Sequence, residues 1–112
     1  MQRHAWVIRL HDDKIDEYVR LHAAVWPGVL QRLRDCHISN YSIYLRQLDD
    51  GGHYLFSYLE YTGEDFTADM AIMAADPETQ RWWTHCRPCQ QPLRNAAPGD
   101  WWSPLQEVFH LA

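Results

Sequence analysis

Residues 39–61 read SNYSIYLRQLDDGGHYLFSYLEY, and this stretch decides the fold of the chain. Apolar residues recur at every second position of its first half, which is the period of a strand with one covered face; they are Tyr41, Ile43 and Leu45. Asp49-Asp50-Gly51-Gly52 then supplies residues that accept a positive φ, and residues 54–61 form an aromatic-rich run that favours a further strand. The two strands are therefore predicted to pair as a hairpin.

The segment before the hairpin predicts one strand and two helical pieces. Residues 4–10 alternate in the manner of a strand, and Asp12 and Asp13 follow as candidate caps of a helix. Pro27 is tolerated only in a first helical turn, so it is predicted to open a second short helix after a bend at Trp26. The inner face of the first helix consists of residues spaced three and four apart, namely Ile15, Tyr18, Leu21, His22 and Val25.

The segment after the hairpin predicts a second helical region and a closing strand. Apolar residues recur at helical spacing over residues 66–74, and Asp76-Pro77 then has the form of a cap followed by a first-turn proline. We expect the helix that begins there to run through Trp83. Residues 87–104 are rich in proline and are predicted to form an ordered loop, and residues 108–111 are predicted to form the fourth strand.

The order β-α-β-β-α-β predicts an α+β fold of the ferredoxin-like type, with an antiparallel four-strand sheet and helices on one face. At 112 residues the chain is near the commonest domain size, so residues 1–112 are predicted to be one domain. The opposite face of the sheet carries aromatic residues such as Tyr54, Phe56 and Tyr58, which need cover that one chain does not supply. We therefore expect a homodimer with a barrel-like arrangement of the two sheets.

Composition and charge narrow the class of protein. The formal net charge is −5 and the acidic and basic residues are scattered, so no binding of nucleic acid is expected. No apolar run approaches the roughly 20 residues that span a bilayer, so no membrane partner is expected either. The three cysteines are odd in number and fit reduced thiols, which agrees with a cytoplasmic location.

Tyr18 and His22 are the first candidates for a site, because residues four apart on a helix project side by side. Imidazole has an ordinary pKa of about 6.5, so one group can both remove and return a proton at neutral pH. From the spacing alone, a half-buried structural histidine is the favoured interpretation of His22.

The paired tryptophans are the second candidates. Trp82 and Trp83 are adjacent on a predicted helix, so only one of them can point squarely into the core. The other, like Trp101-Trp102, can line a sugar-binding pocket or a dimer interface, since indoles suit both. His85-Cys86 with Cys89 is a weak metal or redox motif, because a second pair of ligands is missing. We predict no metal site, and we assign no role to the scattered carboxylates, which are Glu60, Asp69 and Glu107.

Taken together, six stretches of the sequence resemble the L-rhamnose mutarotase family in order along the chain. They are YVRLH at 18–22, VWP at 25–27, NYSIY at 40–44, LF at 55–56 with Glu60, QRWW at 80–83 and LQEVF at 105–109. Each fragment is unspecific by itself, but their joint order and separations are specific. The resemblance covers nearly the whole chain and implies a dimeric ferredoxin-like enzyme that needs no cofactor.

The resemblance also implies roles for five residues. The counterpart of His22 is taken as the proton donor in that family, and the counterparts of Tyr18, Tyr41, Trp82 and Trp83 contact the sugar. The implied function is a sugar mutarotase, an isomerase that interconverts the α and β anomers of a 6-deoxy-L-sugar by ring opening with general acid and base catalysis.

The resemblance is weaker at Trp101-Trp102, in the turn of residues 49–53 and over residues 86–92. These departures leave L-fucose beside L-rhamnose as the expected sugar, because the two differ only in the orientation of ring hydroxyls. Two other classes remain open from the residues: a non-catalytic dimeric binding module, and a ferredoxin-like haem-handling or oxygenase dimer with His22 or His85 as an axial ligand.

Overall fold

The computed structural model describes the whole chain from Met1 to Ala112 and contains the predicted hairpin. Its sheet is built on three long strands, β1 Gln2–Leu10, β2 Ile38–Gln47 and β3 His53–Tyr61. Both β1 and β2 pair antiparallel with β3, so that Leu55 of β3 lies between Ile8 and Leu45. Gly51 in the hairpin turn has a φ of 84°, a conformation that glycine adopts without steric cost. The α+β fold with an antiparallel sheet is thus confirmed.

Four helices lie beside this sheet: α1 Ile15–His22, α2 Pro27–Asp35, α3 Phe66–Ala75 and α4 Pro77–Cys86. Pro27 and Pro77 begin their helices as predicted, because the N–H group of a first helical residue has no hydrogen-bond partner within the helix. The carboxylate of Asp76 accepts a hydrogen bond from the Thr79 backbone N–H and so caps α4. None of the four helices is long and apolar enough to cross a membrane.

The predicted cap of α1 is wrong. The helix begins after Lys14, and neither Asp12 nor Asp13 accepts a bond from its first turn. Instead, the Lys14 N–H donates to the His11 carbonyl, which closes a tight turn ahead of the helix. This turn holds the two carboxylates away from the N–H groups of α1, which explains why the acidic pattern did not act as a cap.

The predicted fourth strand at residues 108–111 is also wrong. The free edge of β1 is occupied by two short strands, β4 Gln90–Gln91 and β5 Ser103–Pro104, which come from the proline-rich loop. Beyond β5 the tail keeps only the bond from the Leu105 N–H to the Ala5 carbonyl and an ion pair of 2.7 Å between Arg3 and Glu107. Because the loop occupies this edge of β1, the apolar tail residues stay outside the sheet, and Val108 is 88% exposed.

The main core lies between one face of the sheet and the helices. It joins Ile8, Leu10 and Leu55 of the sheet to Tyr18, Val29, Trp82, Cys86 and Cys89. Strand alternation directs the neighbouring residues of β3 to the other face, where Phe56 lies opposite Val7 and remains half-buried. The sheet therefore has one face covered by helices and one aromatic face without cover from its own chain.

Candidate functional site

A cavity of about 340 Å³ lies between the helices and the covered face of the sheet. The five residues predicted for the site all line it, and they are Tyr18, His22, Tyr41, Trp82 and Trp83. They come from α1, β2 and α4, which are distant in sequence. Most of the remaining lining is apolar, so polar groups in the cavity can act in a largely desolvated environment.

Tyr18 and His22 lie one helical turn apart on α1, and their rings stack at 4.1 Å between centroids. The Nδ1 atom of His22 lies 3.0 Å from the backbone carbonyl oxygen of Tyr18. A carbonyl oxygen can only accept, so Nδ1 carries the proton and donates it. In the neutral ring the other nitrogen, Nε2, therefore carries a lone pair, and the protein provides no hydrogen-bond partner for it.

Burial keeps His22 in this neutral form. Removal from water lowers the pKa of its imidazole below the ordinary 6.5, and the bond to the Tyr18 carbonyl opposes this shift without cancelling it. The ring also meets the edge of Trp82 at 5.4 Å between centroids, which fixes its orientation. At neutral pH the cavity therefore contains an oriented proton acceptor, which favours a functional role over a purely structural histidine.

Trp82 and Trp83 occupy different environments although both line the cavity. Trp82 is only 5% exposed and packs edge to face on Trp26 of the α1–α2 bend at 5.2 Å. Trp83 is half-buried, and the guanidinium of Arg87 lies 5.1 Å from its ring centre. One indole thus belongs to the core and the other to the cavity rim, as the helical geometry of adjacent residues requires.

Tyr41 faces the cavity by the same alternation as Ile43, and it lies within a bulge of β2. The register with β3 shifts by one residue between Ser39 and Ser42, and Asn40 takes a φ of 46° within the bulge. The side-chain amide of Asn40 donates to Glu60 of β3 at 2.6 Å, which holds the bulge in place. Although Tyr41 is 43% exposed as a residue, burial of its phenol raises the pKa to about 12. Its hydroxyl is therefore neutral.

Sequence reasoning missed Gln90, which lines the cavity and is only 6% exposed. Its side-chain amide nitrogen lies 3.2 Å from the Tyr18 hydroxyl, and its oxygen accepts from the Trp101 indole N–H at 2.7 Å. No spacing pattern marks a glutamine that acts across 72 residues. Trp101 and Trp102 both line the cavity as well.

The cysteine motif has a structural environment. Cys86 and Cys89 are buried free thiols, and burial raises the pKa of Cys86 to about 12. The Cys89 thiol donates to the His85 carbonyl oxygen at 3.6 Å. Reactive or metal-binding thiols need a lowered pKa, whereas these two behave as small apolar residues of the core.

Comparisons with known proteins agree with this architecture. A family profile described as "L-rhamnose mutarotase" matches residues 3–111. Proteins named L-rhamnose mutarotase from Oceanobacillus iheyensis and Rhizobium meliloti are 31% and 32% identical to the chain over 111 residues, with 99% of each protein covered. The crystal structure of an L-rhamnose mutarotase from Formosa agariphila superposes with a TM-score of 0.75 over 100% of both chains, and at 24% identity this likeness concerns the fold.

Proposed function

The chain belongs to the L-rhamnose mutarotase family, and on that premise we propose that it interconverts the α and β anomers of L-rhamnose. The observation that carries the proposal is the unpartnered Nε2 of a neutral His22 in a cavity that Tyr18, Trp82 and Trp83 also line. The cavity volume falls at the lower end of the range for small-ligand sites, which is about 300–1,000 Å³. A monosaccharide is a ligand of suitable size for it.

The proposed chemistry is proton transfer at a bound pyranose. His22 accepts the proton of the anomeric hydroxyl at Nε2, the electrons left on that oxygen form the aldehyde carbonyl, and the bond between C1 and the ring oxygen breaks. The imidazolium returns its proton to the former ring oxygen. Rotation about C1–C2 and the reverse sequence close the ring on the other face. Acid and base catalysis of this kind contributes about 10²–10⁴-fold in rate.

The remaining predicted residues hold the sugar in this proposal. Tyr18 and Tyr41 carry neutral hydroxyls, because burial raises the pKa of both, and each can form hydrogen bonds with ring hydroxyls. Trp82 and Trp83 supply flat apolar faces for the C–H groups and the methyl group of a 6-deoxy sugar. The proposed reaction transfers only protons, so side chains alone can catalyse it without a redox cofactor or a group carrier.

L-Fucose is the second candidate substrate. Trp101 and Trp102 line the cavity at one of the places where the sequence departs from the family resemblance, so we expect the contacts that read hydroxyl orientation to differ here. A change in those contacts is the kind of difference that discriminates two sugars with the same atoms. Exchange rates measured side by side on both sugars decide between them.

We also propose that the protein is a homodimer through the uncovered face of the sheet. Tyr44 on that face is 64% exposed, and Tyr54, Phe56 and Tyr58 are half-buried beside it. An aromatic surface of this kind marks an interface. Sedimentation equilibrium should give twice the monomer mass for the wild type and a shift towards monomer for Phe56→Glu. A monomeric wild type would remove this proposal and leave the catalytic one untouched.

The test of the catalytic proposal is saturation-transfer NMR of anomer exchange with L-rhamnose, L-fucose and other free sugars. We expect the wild type to accelerate exchange and His22→Ala to lose that acceleration while its circular dichroism is unchanged. His85→Ala is the matched control, because His85 is exposed and does not line the cavity. Unchanged exchange in His22→Ala would remove the ring from the mechanism, and sugar binding without exchange would indicate a binding protein.

A further inference from the structure

Three side chains from distant parts of the chain form a hydrogen-bonded row along the cavity wall. Trp101 Nε1 lies 2.7 Å from Gln90 Oε1, and Gln90 Nε2 lies 3.2 Å from the Tyr18 hydroxyl. Gln90 is 6% exposed and Tyr18 is 4% exposed, so water competes little for the bond between them, whereas the bond from Trp101, which is 37% exposed, is partly buried. All three residues line the cavity.

The row has a fixed direction. An indole N–H can only donate, so it holds the oxygen of the Gln90 amide towards Trp101 and turns the NH₂ group towards Tyr18. The NH₂ group can only donate in its turn, so the Tyr18 oxygen must accept. The hydroxyl proton of Tyr18 then has no acceptor on the protein, because Gln90 is the only side chain that bonds this hydroxyl.

We propose that Gln90, oriented by Trp101, is a positioning residue that makes Tyr18 a hydrogen-bond donor to an oxygen of the bound sugar. This inference rests on the proposed function for the identity of the ligand. A phenol that already accepts from an amide is also a better donor, since linked hydrogen bonds polarise one another. The sugar oxygen that receives the Tyr18 proton must act as a hydrogen-bond acceptor. The ring oxygen of a pyranose carries no hydrogen and therefore always can.

The fold keeps the row in place from both ends. Gln90 belongs to β4 and pairs with Leu10 of β1, so the sheet fixes its backbone. Trp101 lies in the loop, where the guanidinium of Arg87 sits between two indoles, 5.9 Å from Trp101 and 5.1 Å from Trp83. Cation–π contacts of this kind stabilise the loop over the cavity. Gln90 is thereby held between a strand and an anchored indole.

The test is a double-mutant cycle on anomer exchange with Gln90→Leu, Tyr18→Phe and the double variant. Each single change should lower the exchange rate constant about two- to tenfold, the range for one net hydrogen bond. The double variant should lose no more than Tyr18→Phe alone, because Gln90 acts through that hydroxyl. Gln90→Glu should match Tyr18→Phe in its loss, since a carboxylate accepts the phenol proton and turns it away from the sugar. Losses that multiply in the double variant would overturn the proposal.

Two measurements keep this test independent of folding and of the enzymatic assignment. The indole N–H resonance of Trp101, identified by its absence in Trp101→Phe, should shift in Gln90→Leu and stay in place in Gln91→Leu. Gln91 is the matched control, since it is the exposed neighbour in the same strand. If the Trp101 indole N–H resonance does not shift in Gln90→Leu, the hydrogen-bonded row itself is refuted. Absence of exchange in the wild type on every sugar would instead refute the proposed function.

Discussion

Lowering the pH should switch off the proposed catalyst through His22. Desolvation is the largest influence on this imidazole and lowers its pKa, so the neutral base persists to a lower pH than for a free histidine. For an unshifted pKa of about 6.5, roughly three quarters of the rings are neutral at pH 7 and roughly a tenth at pH 5.5. At pH 7 and at pH 5.5, the exchange rate should therefore be a larger share of its maximum than these two fractions. Below the pKa of His22 the rate should fall about tenfold per pH unit.

The assay is the exchange rate measured from pH 5 to pH 9, after subtraction of the rate with His22→Gln under the same buffer. We expect one inflection, below pH 6.5, and a plateau above it. Tyr18→Phe should lower the plateau and keep an inflection, because the backbone carbonyl that holds Nδ1 is unchanged. An inflection above pH 6.5 would contradict the lowering of the pKa by burial, and a rate that rises towards acid would mean that the imidazolium is the active form; either result would refute the reasoning.

The same shift has a consequence for stability. The folded pKa of His22 lies below the unfolded one, so the folded state binds fewer protons between them. Its contribution to stability is present above pH 6.5 and is lost as the pH falls from there to the folded pKa. Urea denaturation of His22→Ala should therefore depend less on pH in that window than denaturation of the wild type, and equal slopes would contradict the burial argument.

Three further experiments test the fold around the site. Ile8→Ala should lower the free energy of unfolding by about 2–5 kcal/mol in urea denaturation, because Ile8 is fully buried between sheet and helices, and a loss below about 1 kcal/mol would contradict this. Asn40→Gly should retain more exchange activity than Asn40→Val, since a β-branched residue is strained at a φ of 46°, and equal activities would show that the bulge does not orient Tyr41. The three cysteines, Cys36, Cys86 and Cys89, should resist a thiol reagent at pH 8 until the protein is unfolded, because they are buried and burial raises the pKa of each; rapid labelling of the native protein would contradict that environment.

The predictable parts of the fold are those that local chemistry determines. The hairpin follows from period-two alternation and a glycine turn, and α4 follows from an Asp-Pro pair whose carboxylate caps the helix. Tyr18 and His22 share a helical face, so their stacking is also a local consequence of spacing. These features need no information about the rest of the chain.

The parts that sequence reasoning missed depend on competition and on long-range contacts. Residues 108–111 have the alternation of a strand, but the edge of β1 is taken by Gln90–Gln91 and Ser103–Pro104, which are too short to show any period. Gln90 acquires its place only when β4, α1 and the loop of Trp101 meet. A hydrogen bond across 72 residues leaves no mark on the spacing of either partner.

The proposed mechanism depends most directly on the protonation state of His22. ¹⁵N NMR of the imidazole nitrogens of His22, assigned by their loss in His22→Ala, reports the tautomer and the titration directly. Nδ1 should carry the proton at pH 7, Nε2 should give the signal of an unprotonated nitrogen, and the midpoint should lie below pH 6.5. A proton found on Nε2 at pH 7, or a charged ring at that pH, would contradict the proposal that Nε2 accepts the proton of the anomeric hydroxyl.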